Sequence, residues 1–333
     1  MLDRANRNIE YLRVSITDRC NLRCVYCMPE GGVPGLSHEA ILRYEEILRV
    51  VRVAAEKGIR KVRLTGGEPL VRKDVVSLIR EIAAIPGIDD LSLTTNGTLL
   101  DKMAEGLYEA GLRRINISLD SLNPERFRKL TRGGELGAVL EGIRRAEEAG
   151  FDPIKINVVA IKGINDGEIC EFARLTLTKP YHVRFIEFMP VGGIATWDDS
   201  RIITADKIRD KISALGELIP IEQGGPGGQK TKAGGPAKLY RLPGAKGILG
   251  FISALSNHFC GSCNRLRLTA DGKLRPCLFS ETEIDIKTPL RSGCGDAELS
   301  RLISLALAVK PEGHSIAGGI KDKYRRSMSK IGG

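Results

Sequence analysis

Hydrophobic and polar positions follow two different periods over the first part of the chain. From residue 11 to about residue 189, short apolar or β-branched segments alternate with longer segments whose apolar positions recur every three to four residues. The first pattern is typical of strands and the second of amphipathic helices. It predicts strands at Tyr11–Thr17, Lys61–Thr65, Asp90–Thr95, Arg114–Leu119, Ile154–Ile161 and His182–Met189. It predicts helices at Glu39–Lys57, Lys73–Ala84, Asp101–Ala110 and Pro124–Ala149.

Four glycines stand between a predicted helix and the strand that follows it: Gly58, Gly87, Gly111 and Gly150. Glycine adopts the left-handed backbone conformation without a steric penalty, so we expect these residues to end their helices. Repeated alternation of strand and helix implies parallel strands with right-handed crossovers. A closed barrel and an open doubly wound sheet both fit this alternation.

Polar and small residues gather where the predicted strands end: Thr65–Pro69, Thr94–Gly97, Ser118–Asp120 and Glu187–Pro190. In a (βα) barrel, such strand ends converge and form the active site. Six strand–helix units fall short of the eight that close a barrel. The predicted fold class is therefore α/β, with a partial, open (βα)6 barrel of the TIM type.

The pattern changes after about residue 200. A helix at Ala205–Leu215 is followed by a Gly/Gln/Lys-rich stretch at Glu222–Gly235, which is typical of a flexible loop. A smaller unit with three cysteines, a helix near Asp296–Val309 and a basic tail completes the chain. We expect one domain at residues 1–219 and a second at residues 220–333.

Composition excludes several classes of protein. Of the 333 residues, 42% are hydrophobic and 28% are charged, as in a globular protein. No stretch approaches the roughly 18 apolar residues that span a membrane, and the first residues lack the apolar core of a signal peptide. We expect a cytoplasmic protein without a membrane partner, in which clustered cysteines bind metal rather than form disulfides.

The charge balance points to an anionic partner. The chain has 51 basic and 41 acidic residues, a net charge of +10. Such a balance favours nucleic acid or a phosphorylated small molecule. Aromatic residues make up only 5% of the chain, which offers little for base stacking along a single strand. The small anionic substrate is therefore favoured, and no nucleic-acid partner is expected.

Six of the eight cysteines form two triplets at opposite ends of the chain: Cys20, Cys24 and Cys27, and Cys260, Cys263 and Cys277. Three thiolates are one short of the set that fills a [4Fe–4S] cluster or a structural zinc site. The open position can take an exogenous ligand. A zinc site completed by a distant histidine or cysteine is the alternative, and His258 or Cys294 could complete the second triplet in this way.

The Cys-X3-Cys-X2-Cys spacing, with Tyr26 before the last cysteine, resembles the signature of the radical S-adenosylmethionine enzymes, as does Gly66–Pro69 after the second strand. The resemblance implies a [4Fe–4S] cluster whose open iron chelates S-adenosylmethionine. An electron from that cluster then cleaves the sulfonium and releases a 5′-deoxyadenosyl radical. It also implies that S-adenosylmethionine is lined by Tyr26, Gly67, Ser118 and Met189.

Further segments resemble one subfamily, the GTP 3′,8-cyclases of molybdenum cofactor biosynthesis: Leu12–Cys20, Thr65–Leu70, Arg113–Asp120, Arg184–Met189, Phe259–Arg267 and the terminal Gly332–Gly333. This resemblance spans nearly the whole chain. It implies a C-terminal auxiliary domain in which Cys260, Cys263 and Cys277 hold a second [4Fe–4S] cluster that contacts the guanine base. It also implies that the Gly332–Gly333 tail enters the active site.

Basic residues interrupt the predicted strands. Arg63 and Lys155 stand in apolar segments, and Arg184 lies near the start of the last strand. A buried charge is costly unless something pairs with it, and glutamates such as Glu68 or Glu187 are one candidate. The resemblance implies instead that GTP is bound by Arg13, Arg63, Thr94, Lys155, Arg184, Arg265 and Arg267. It assigns catalytic roles to Arg13, Arg265, Arg267, Gly332 and Gly333.

The activity that the resemblance implies is that of a lyase. It converts GTP to (8S)-3′,8-cyclo-7,8-dihydroguanosine 5′-triphosphate, the first step of molybdenum cofactor biosynthesis. The partners implied are a flavodoxin- or ferredoxin-type reductant, cyclic pyranopterin monophosphate synthase downstream, and a second copy of the chain in a homodimer. Two alternatives stay open: a radical S-adenosylmethionine peptide maturase, which usually carries more C-terminal cysteines, and a zinc-containing protein that binds nucleic acid.

Overall fold

The computed structural model describes residues 1–189, 199–221, 235–313 and 326–332. Within these residues twelve strands form one sheet: β1 (Tyr11–Ser15), β2 (Lys61–Thr65), β3 (Asp90–Thr95), β4 (Arg114–Ser118), β5 (Lys155–Ala160), β6 (His182–Glu187), β7 (Ile219–Pro220), β8 (Lys238–Arg241), β9 (Ile248–Ile252), β10 (Arg265–Leu268), β11 (Lys273–Arg275) and β12 (Ile284–Asp285). The helices are α1 (Tyr44–Glu56), α2 (Val75–Ala83), α3 (Leu100–Glu109), α4 (Pro124–Thr131), α5 (Leu136–Glu148), α6 (Ile169–Thr178), α7 (Ala205–Ser213), α8 (Lys287–Arg291), α9 (Asp296–Ala308) and α10 (Met328–Ile331).

The strand order across the sheet is β12-β11-β10-β1-β2-β3-β4-β5-β6-β9-β8-β7. Strands β1 to β6 are parallel, and β10 and β9 extend this parallel set by pairing with β1 and β6. The outer strands on both sides are antiparallel. Because β12 and β7 are edges that do not meet, the sheet stays open. The predicted α/β fold with six parallel strands and an open side is confirmed.

The helices cover one face of this sheet with their apolar sides. In α1, Ile47, Val50, Val51 and Ala54 are buried in the main core, and strand residues such as Leu64 join the same cluster. Each fully buried aliphatic side chain of this kind contributes roughly 1.5–3 kcal/mol. The four glycines that were expected to end helices all have positive φ, between 89° and 103°. The predicted helix ends are thus confirmed at Gly58, Gly87, Gly111 and Gly150.

One predicted helix is wrong. The stretch Pro124–Ala149 was expected to be continuous, but the structure divides it into α4 and α5. Arg132 and Gly133 have φ values of 53° and 114°, so the chain turns sharply after α4. Thr131 Oγ1 accepts a hydrogen bond from the N–H of Gly134 at 3.0 Å and stabilises that turn. Helix α6, between β5 and β6, was not among the predicted helix bounds.

The C-terminal strands belong to the same sheet as the N-terminal ones. Strands β9 and β10 flank the six parallel strands on opposite sides, so residues from both ends of the chain surround one concave region. The expected division of the chain at residue 219 stays a prediction. None of the helices that the structure describes has the length and apolar character to cross a bilayer.

Candidate functional site

A cavity of about 330 Å³ lies against the inner face of the sheet, opposite the main helix layer. Side chains from β1 to β6, β9 and β10 line it, together with residues that follow the ends of β2, β3 and β6. All six cysteines of the two triplets also line it. The expectation that the strand ends converge on a site is therefore confirmed, and the two triplets share that site.

The first triplet lies on a tight loop directly after β1. The N–H of Cys27 donates to the carbonyl of Cys24 at 2.9 Å, which folds the loop back on itself. The N–H groups of Arg23 and Val25 donate to the carbonyls of Thr131 and Leu130 at the end of α4. The loop is thus fixed by backbone contacts on the side away from the cavity.

The glycine pair after β2 fits against the same loop. A Cβ atom on Gly67 would stand 2.3 Å from the carbonyl oxygen of Arg19, and one on Gly66 would stand 2.5 Å from that of Thr17. No side chain fits at these distances. The N–H of Gly67 donates to Thr17 O at 2.7 Å, so the glycines let two backbone segments touch just before Cys20.

Glu68 follows this pair and is only 1% exposed. Its carboxylate accepts hydrogen bonds from the N–H of Leu70, the hydroxyl of Thr95 and the N–H of Asn96, at 3.0, 2.7 and 2.6 Å. Burial raises the pKa of Glu68 to about 7 even though these hydrogen bonds act to lower it. Glu68 therefore organises the tips of β2 and β3 and forms no ion pair among the described residues.

Tyr26 and Asp120 form a second buried polar contact at the cavity wall. The Tyr26 hydroxyl donates to Asp120 Oδ2 at 2.5 Å, and Asp120 Oδ1 accepts from the N–H of Val159 at 2.7 Å. Burial raises the pKa of Asp120 to about 6. This contact fixes the Tyr26 ring between Cys24 and Cys27.

The thiols of the first triplet are difficult to ionise without a cation. Burial, followed by the charges of neighbouring groups, raises the pKa of Cys24 well above its usual value. Burial raises the pKa of Cys27 to about 12. Thiolates are the metal-binding form, so a bound metal must supply the favourable charge that releases these protons.

The second triplet has a cationic surrounding. Burial acts to raise the pKa of Cys263, but the nearby charges of Lys310 and Arg265 outweigh it and the pKa is lowered. Lys310 Nζ lies 3.7 Å from Cys263 Sγ. Arg7 Nη1 donates to the carbonyl of Cys260 at 2.8 Å. Neither Arg7 nor Lys310 was singled out from the sequence.

Four arginines form one row across the inner face of the sheet. Arg13 is in register with Arg267 on one side and with Arg63 on the other, and Arg63 is linked through Ser92 to Arg114. Burial, and then repulsion from Arg267 and Arg63, lowers the pKa of Arg13 well below its usual value. The row therefore concentrates positive charge where little water remains to screen it.

The charges around the cavity do not balance among the described residues. Seven basic side chains line it, against one carboxylate, Asp90: the basic residues are Arg13, Lys61, Arg63, Arg114, Arg184, Arg265 and Arg267. Lys61 pairs with Glu10 at 2.6 Å, and Arg114 pairs with Asp90. Within the described residues, no carboxylate pairs with Arg63, Arg184, Arg265 or Arg267.

Several buried polar atoms also lack a hydrogen-bond partner in the described part of the chain: Tyr11 Oη, Thr94 Oγ1, Arg184 Nε and Arg265 Nε. Buried polar groups of folded proteins are nearly always satisfied. Unpaired donors together with excess positive charge fit a polyanionic ligand with hydroxyl or phosphate oxygens. The alternative, that Glu68 or Glu187 pairs with the strand cations, is wrong, because Glu187 accepts hydrogen bonds from Ala205, Leu255 and Ser256 instead.

Each triplet presents three cysteine thiols to the cavity, which is the donor set of a [4Fe–4S] cluster with one open iron. Among the described residues, no three His, Cys, Asp or Glu side chains surround one point as ligands of a lone metal ion. In a [4Fe–4S] cluster each cysteine binds a different iron, so the sulfurs stand further apart than around one ion. Cys294 packs against the main core and does not line the cavity. The residues present therefore fit three-cysteine clusters that face the cavity.

The C-terminal tail enters the same cavity. Met328 and Ser329 of α10 line it, and the N–H of Ser329 hydrogen-bonds to the Cys27 thiol. Arg267 Nη1 donates to the carbonyl of Gly332 at 2.6 Å. Gly332 has a φ of 84°, and a Cβ atom there would stand 2.8 Å from Ser15 Cβ. Gly333 lies outside the described residues.

Most of the residues expected at the site line this cavity: Arg13, Tyr26, Arg63, Gly67, Thr94, Ser118, Arg184, Met189, Arg265 and Arg267. Lys155 is buried at the start of β5 and is not among the lining residues. Its proposed contact with GTP stays a prediction. Sequence reasoning missed Lys61 and Arg114, although both are basic residues in predicted strands and carry the same signal as Arg63.

Two family models match the chain. The radical SAM superfamily model matches residues 14–176, and the Molybdenum Cofactor Synthesis C model matches residues 181–316. A GTP 3′,8-cyclase of Pelotomaculum thermopropionicum is 54% identical over 334 residues, which cover 100% of both chains. Those of Desulforamulus reducens and Moorella thermoacetica are each 52% identical over 333 residues and also cover 100% of both chains. The chain belongs to the GTP 3′,8-cyclase family. Membership of the radical SAM superfamily implies a [4Fe–4S] cluster and S-adenosylmethionine as cofactor.

Solved structures of lower identity agree with the fold. Streptococcus suis SuiB bound to S-adenosylmethionine superposes with a TM-score of 0.60 at 16% identity, over 97% of this chain and 77% of that chain. SuiB bound to the precursor peptide SuiA gives a TM-score of 0.61 at 15% identity, over 98% of this chain and 76% of that chain. At this level of identity the likeness shows a shared fold and nothing about the substrate.

Proposed function

We propose that this chain is a lyase that converts GTP to (8S)-3′,8-cyclo-7,8-dihydroguanosine 5′-triphosphate, the first step of molybdenum cofactor biosynthesis. One observation carries the proposal: a single cavity is lined by both cysteine triplets and by an arginine row, with seven basic side chains against one carboxylate among its described lining residues. Full-length relatives named GTP 3′,8-cyclase support it at 52–54% identity.

The arginine row would bind the triphosphate of GTP. Arg13, Arg63 and Arg267 lie side by side on neighbouring strands, and Arg184 and Thr94 present unsatisfied polar atoms to the cavity. Guanidinium groups bind phosphate oxygens through two parallel hydrogen bonds, so several of them fix both position and orientation. Lys155 would add charge from the start of β5 without lining the cavity.

Cys20, Cys24 and Cys27 would hold the first [4Fe–4S] cluster, and Tyr26, Gly67, Ser118 and Met189 would line S-adenosylmethionine. With both bound, the cofactors supply one-electron reductive cleavage of a carbon–sulfur bond, which gives an alkyl radical that removes the C3′ hydrogen of GTP. The role of the protein is to hold C3′ and C8 of the substrate at bonding distance and to keep water out.

Cys260, Cys263 and Cys277 would hold a second cluster that contacts the guanine base. The cationic groups Arg265 and Arg267 next to these cysteines support an anionic ligand at this end of the cavity. The C3′ radical adds to C8, and one further electron and a proton complete the product. Because Gly332 accepts a hydrogen bond from Arg267, the tail would hold that arginine toward the substrate.

The decisive experiment is an anaerobic turnover assay. The reconstituted protein is incubated with S-adenosylmethionine, dithionite and GTP, and 5′-deoxyadenosine and the cyclised nucleotide are measured. We expect 5′-deoxyadenosine to rise with GTP, and deuterium from C3′ of labelled GTP to appear in it. No rise with GTP would sink the assignment, whereas the same rise with a peptide and not with GTP would favour a maturase.

An iron count tests the two clusters separately from activity. The proposal expects brown protein with about eight irons per chain, four for each cluster. Replacing Cys24 by serine should remove about four irons, and replacing Cys263 by serine should remove the other four. A colourless protein with one zinc per chain would instead support the zinc-containing nucleic-acid-binding alternative.

The proposal extends to partners and organisation. Residues 1–219 would form the domain that holds the first cluster, and residues 220–333 would form the auxiliary domain. A flavodoxin- or ferredoxin-type protein would supply the electrons, and cyclic pyranopterin monophosphate synthase would take the product. Homodimerisation is part of the proposal and is tested by the mass of the anaerobic protein in solution.

A further inference from the structure

Lys310 lies just after the last turn of α9 and is only 6% exposed. Its ammonium group is directed at the segment that carries the second cysteine triplet. Nζ lies 2.8 Å from the carbonyl of Arg265, 2.7 Å from the carbonyl of Pro276 and 3.7 Å from Cys263 Sγ. An ammonium group has three donors, and these three acceptors use all of them.

The three acceptors belong to two separate segments of the triplet. Arg265 begins β10 and Cys263 lies just before it, whereas Pro276 directly precedes Cys277 after β11. Lys310 therefore ties together the two segments that carry the cysteines. No carboxylate pairs with Lys310 in the described residues. Of the three groups that its ammonium contacts, the Cys263 thiol is the one that can carry a negative charge.

Arg7 holds the segment that follows Lys310. Its Nη1 donates to the carbonyls of Cys260 and Glu312 at 2.8 and 3.0 Å, and its Nη2 donates to the carbonyl of Pro311 at 2.8 Å. Arg7 is itself fixed by Asp3, whose Oδ2 lies 2.6 Å from Nε. Because α9 precedes Lys310 and Arg7 holds the residues that follow it, the Lys310 ammonium is kept close to the Cys263 sulfur.

No cationic side chain of the described residues donates a hydrogen bond to a sulfur of the first triplet. The hydrogen bonds to Cys20 Sγ come from neutral groups, the N–H of Leu22 at 3.4 Å and the side-chain amide of Asn96 at 3.9 Å. The two triplets thus differ in the charge of the groups that touch their sulfurs. Hydrogen bonds to the sulfurs and nearby charge are among the factors that set the reduction potential of an iron–sulfur cluster.

We propose that Lys310 is a positioning residue that favours the reduced state of the second cluster through its charged hydrogen bond to Cys263. This inference rests on the second cluster of the proposed function. The step is the uptake of one electron by [4Fe–4S]2+ to give [4Fe–4S]1+, with the electron supplied by dithionite in the test and with no proton taken up. The added negative charge is stabilised by the nearby ammonium group.

The test is a potentiometric titration of the anaerobic full-length protein, followed by electron paramagnetic resonance. The Lys310→Gln variant keeps a hydrogen-bond donor but removes the charge, Lys310→Met removes both, and Lys310→Arg keeps the charge. The matched control is Lys287→Met, which removes a lysine whose Nζ donates, within the described residues, to the carbonyl of Ala40 at 3.0 Å. The signal of the second cluster is assigned in a parallel titration of a Cys24→Ser chain.

We expect the ratio of reduced to oxidised second cluster, at a fixed potential, to fall about tenfold in Lys310→Gln and Lys310→Met, which is a shift of about 59 mV to more negative potential. Lys310→Arg, Lys287→Met and the first cluster should keep the wild-type potentials. Unchanged potential in Lys310→Gln overturns the inference. About four irons in the wild type, instead of eight, would overturn the second cluster itself, so the two failures are distinguishable.

Discussion

At the scale of single residues, the site is defined by side chains whose burial is unfavourable until a ligand is present. Arg13, Arg63 and Arg267 lie next to one another; Arg267 is buried and the other two are partly buried, so water screens their charges less than at the surface. Such charges raise the energy of the empty protein and lower it when a polyanion binds. The sequence indicated an unfavourably buried charge at Arg63, because a cation interrupts an apolar strand there. The strand pairing was needed to show that the arginines form an in-register row.

Arg63→Gln tests this balance. Arg63 donates to Ser92 Oγ at 3.2 Å and to no carboxylate in the described residues. Because charged hydrogen bonds contribute roughly 1.5–3 kcal/mol, KM for GTP should rise about tenfold to hundredfold. The Tm of the protein without GTP should rise, because one repelling charge is removed. The control is Arg52→Gln on the exposed side of α1, which should change neither value. A lower Tm with unchanged KM would contradict the prediction.

Glu68 sets a pH dependence of stability. Its pKa in the folded protein is about 7, above the ordinary value of 4.5, because the carboxyl is buried. A raised pKa means that the folded state binds the proton more tightly than the unfolded state does. The contribution of this proton to the free energy of unfolding is therefore complete below about pH 4.5 and is lost as pH rises through 7. It amounts to about 3 kcal/mol.

The measurement for Glu68 is urea unfolding of the protein without cofactors at pH 5 and pH 8. The free energy of unfolding of the wild type, relative to that of Glu68→Gln, should be lower at pH 8 than at pH 5. The exposed Glu81→Gln variant should show no such relative change. If the difference in unfolding free energy between wild type and Glu68→Gln stays constant or grows with pH, the hydrogen bonds from Leu70, Thr95 and Asn96 outweigh the effect of burial on the pKa of Glu68.

At the scale of elements, the strands were predicted closely and one helix was not. The strands Lys61–Thr65 and Asp90–Thr95 have the predicted bounds, because their apolar runs end at polar tips. The break between α4 and α5 was missed although Gly133 and Gly134, which follow the left-handed Arg132, form a glycine pair that is typical of turns. Arg132 Nη1 then donates to the carbonyl of Met28 at 2.8 Å, so the break helps to fix the first cysteine loop.

Gly134→Ala should destabilise this break. A Cβ atom at Gly134 would lie 2.6 Å from Thr131 Oγ1, 2.9 Å from Leu22 Cδ2 and 3.0 Å from Phe127 Cε1. Overpacking of this kind costs about 1–3 kcal/mol. We also expect a lower iron content after reconstitution, because Leu22 lies within the first cysteine loop.

The matched control for Gly134 is Gly137→Ala, three residues further on in α5. Nothing lies within 4 Å of a Cβ atom at Gly137, and alanine is the better helix former, so this variant should gain roughly 0.5–1 kcal/mol. Chemical unfolding and iron analysis of both variants check the prediction. Equal stability of the two variants would contradict the prediction, because it would show that the α4–α5 turn shifts and accommodates the added methyl group without cost.

At the scale of the whole molecule, the two ends of the chain meet at one site. The parallel pairing of β10 with β1 places both triplets on one cavity, the first after the end of β1 and the second, more than 200 residues away in sequence, before the start of β10. Periodicity reports local structure and carries no information on which distant strands pair, so only the existence of the two triplets could be read from the residues. Their placement around one cavity, and the contacts of Lys310 and Arg7, required the assembled sheet.

The tail is the second long-range feature, and Gly332→Ala tests it. Gly332 has positive φ and no room for a Cβ atom beside Ser15, so alanine should displace the carbonyl that accepts from Arg267. We expect GTP-dependent formation of 5′-deoxyadenosine to fall at least about tenfold with unchanged iron content. Gly295→Ala, which has open space around the added methyl group, should behave as wild type. A loss of iron in Gly332→Ala would mean that the tail supports the clusters rather than the substrate.

The arginine row has a consequence for the choice among nucleotides. Under the proposed function its guanidinium groups would bind phosphates, and ATP and GTP carry the same triphosphate. The row would therefore not distinguish the two purine nucleotides, and discrimination would fall to the groups that contact the base, which the proposed function places at Cys260, Cys263 and Cys277. We expect ATP to occupy the site as a competitor without being cyclised. In a cell rich in ATP, selectivity would then depend on chemistry at the base rather than on the strength of the charge.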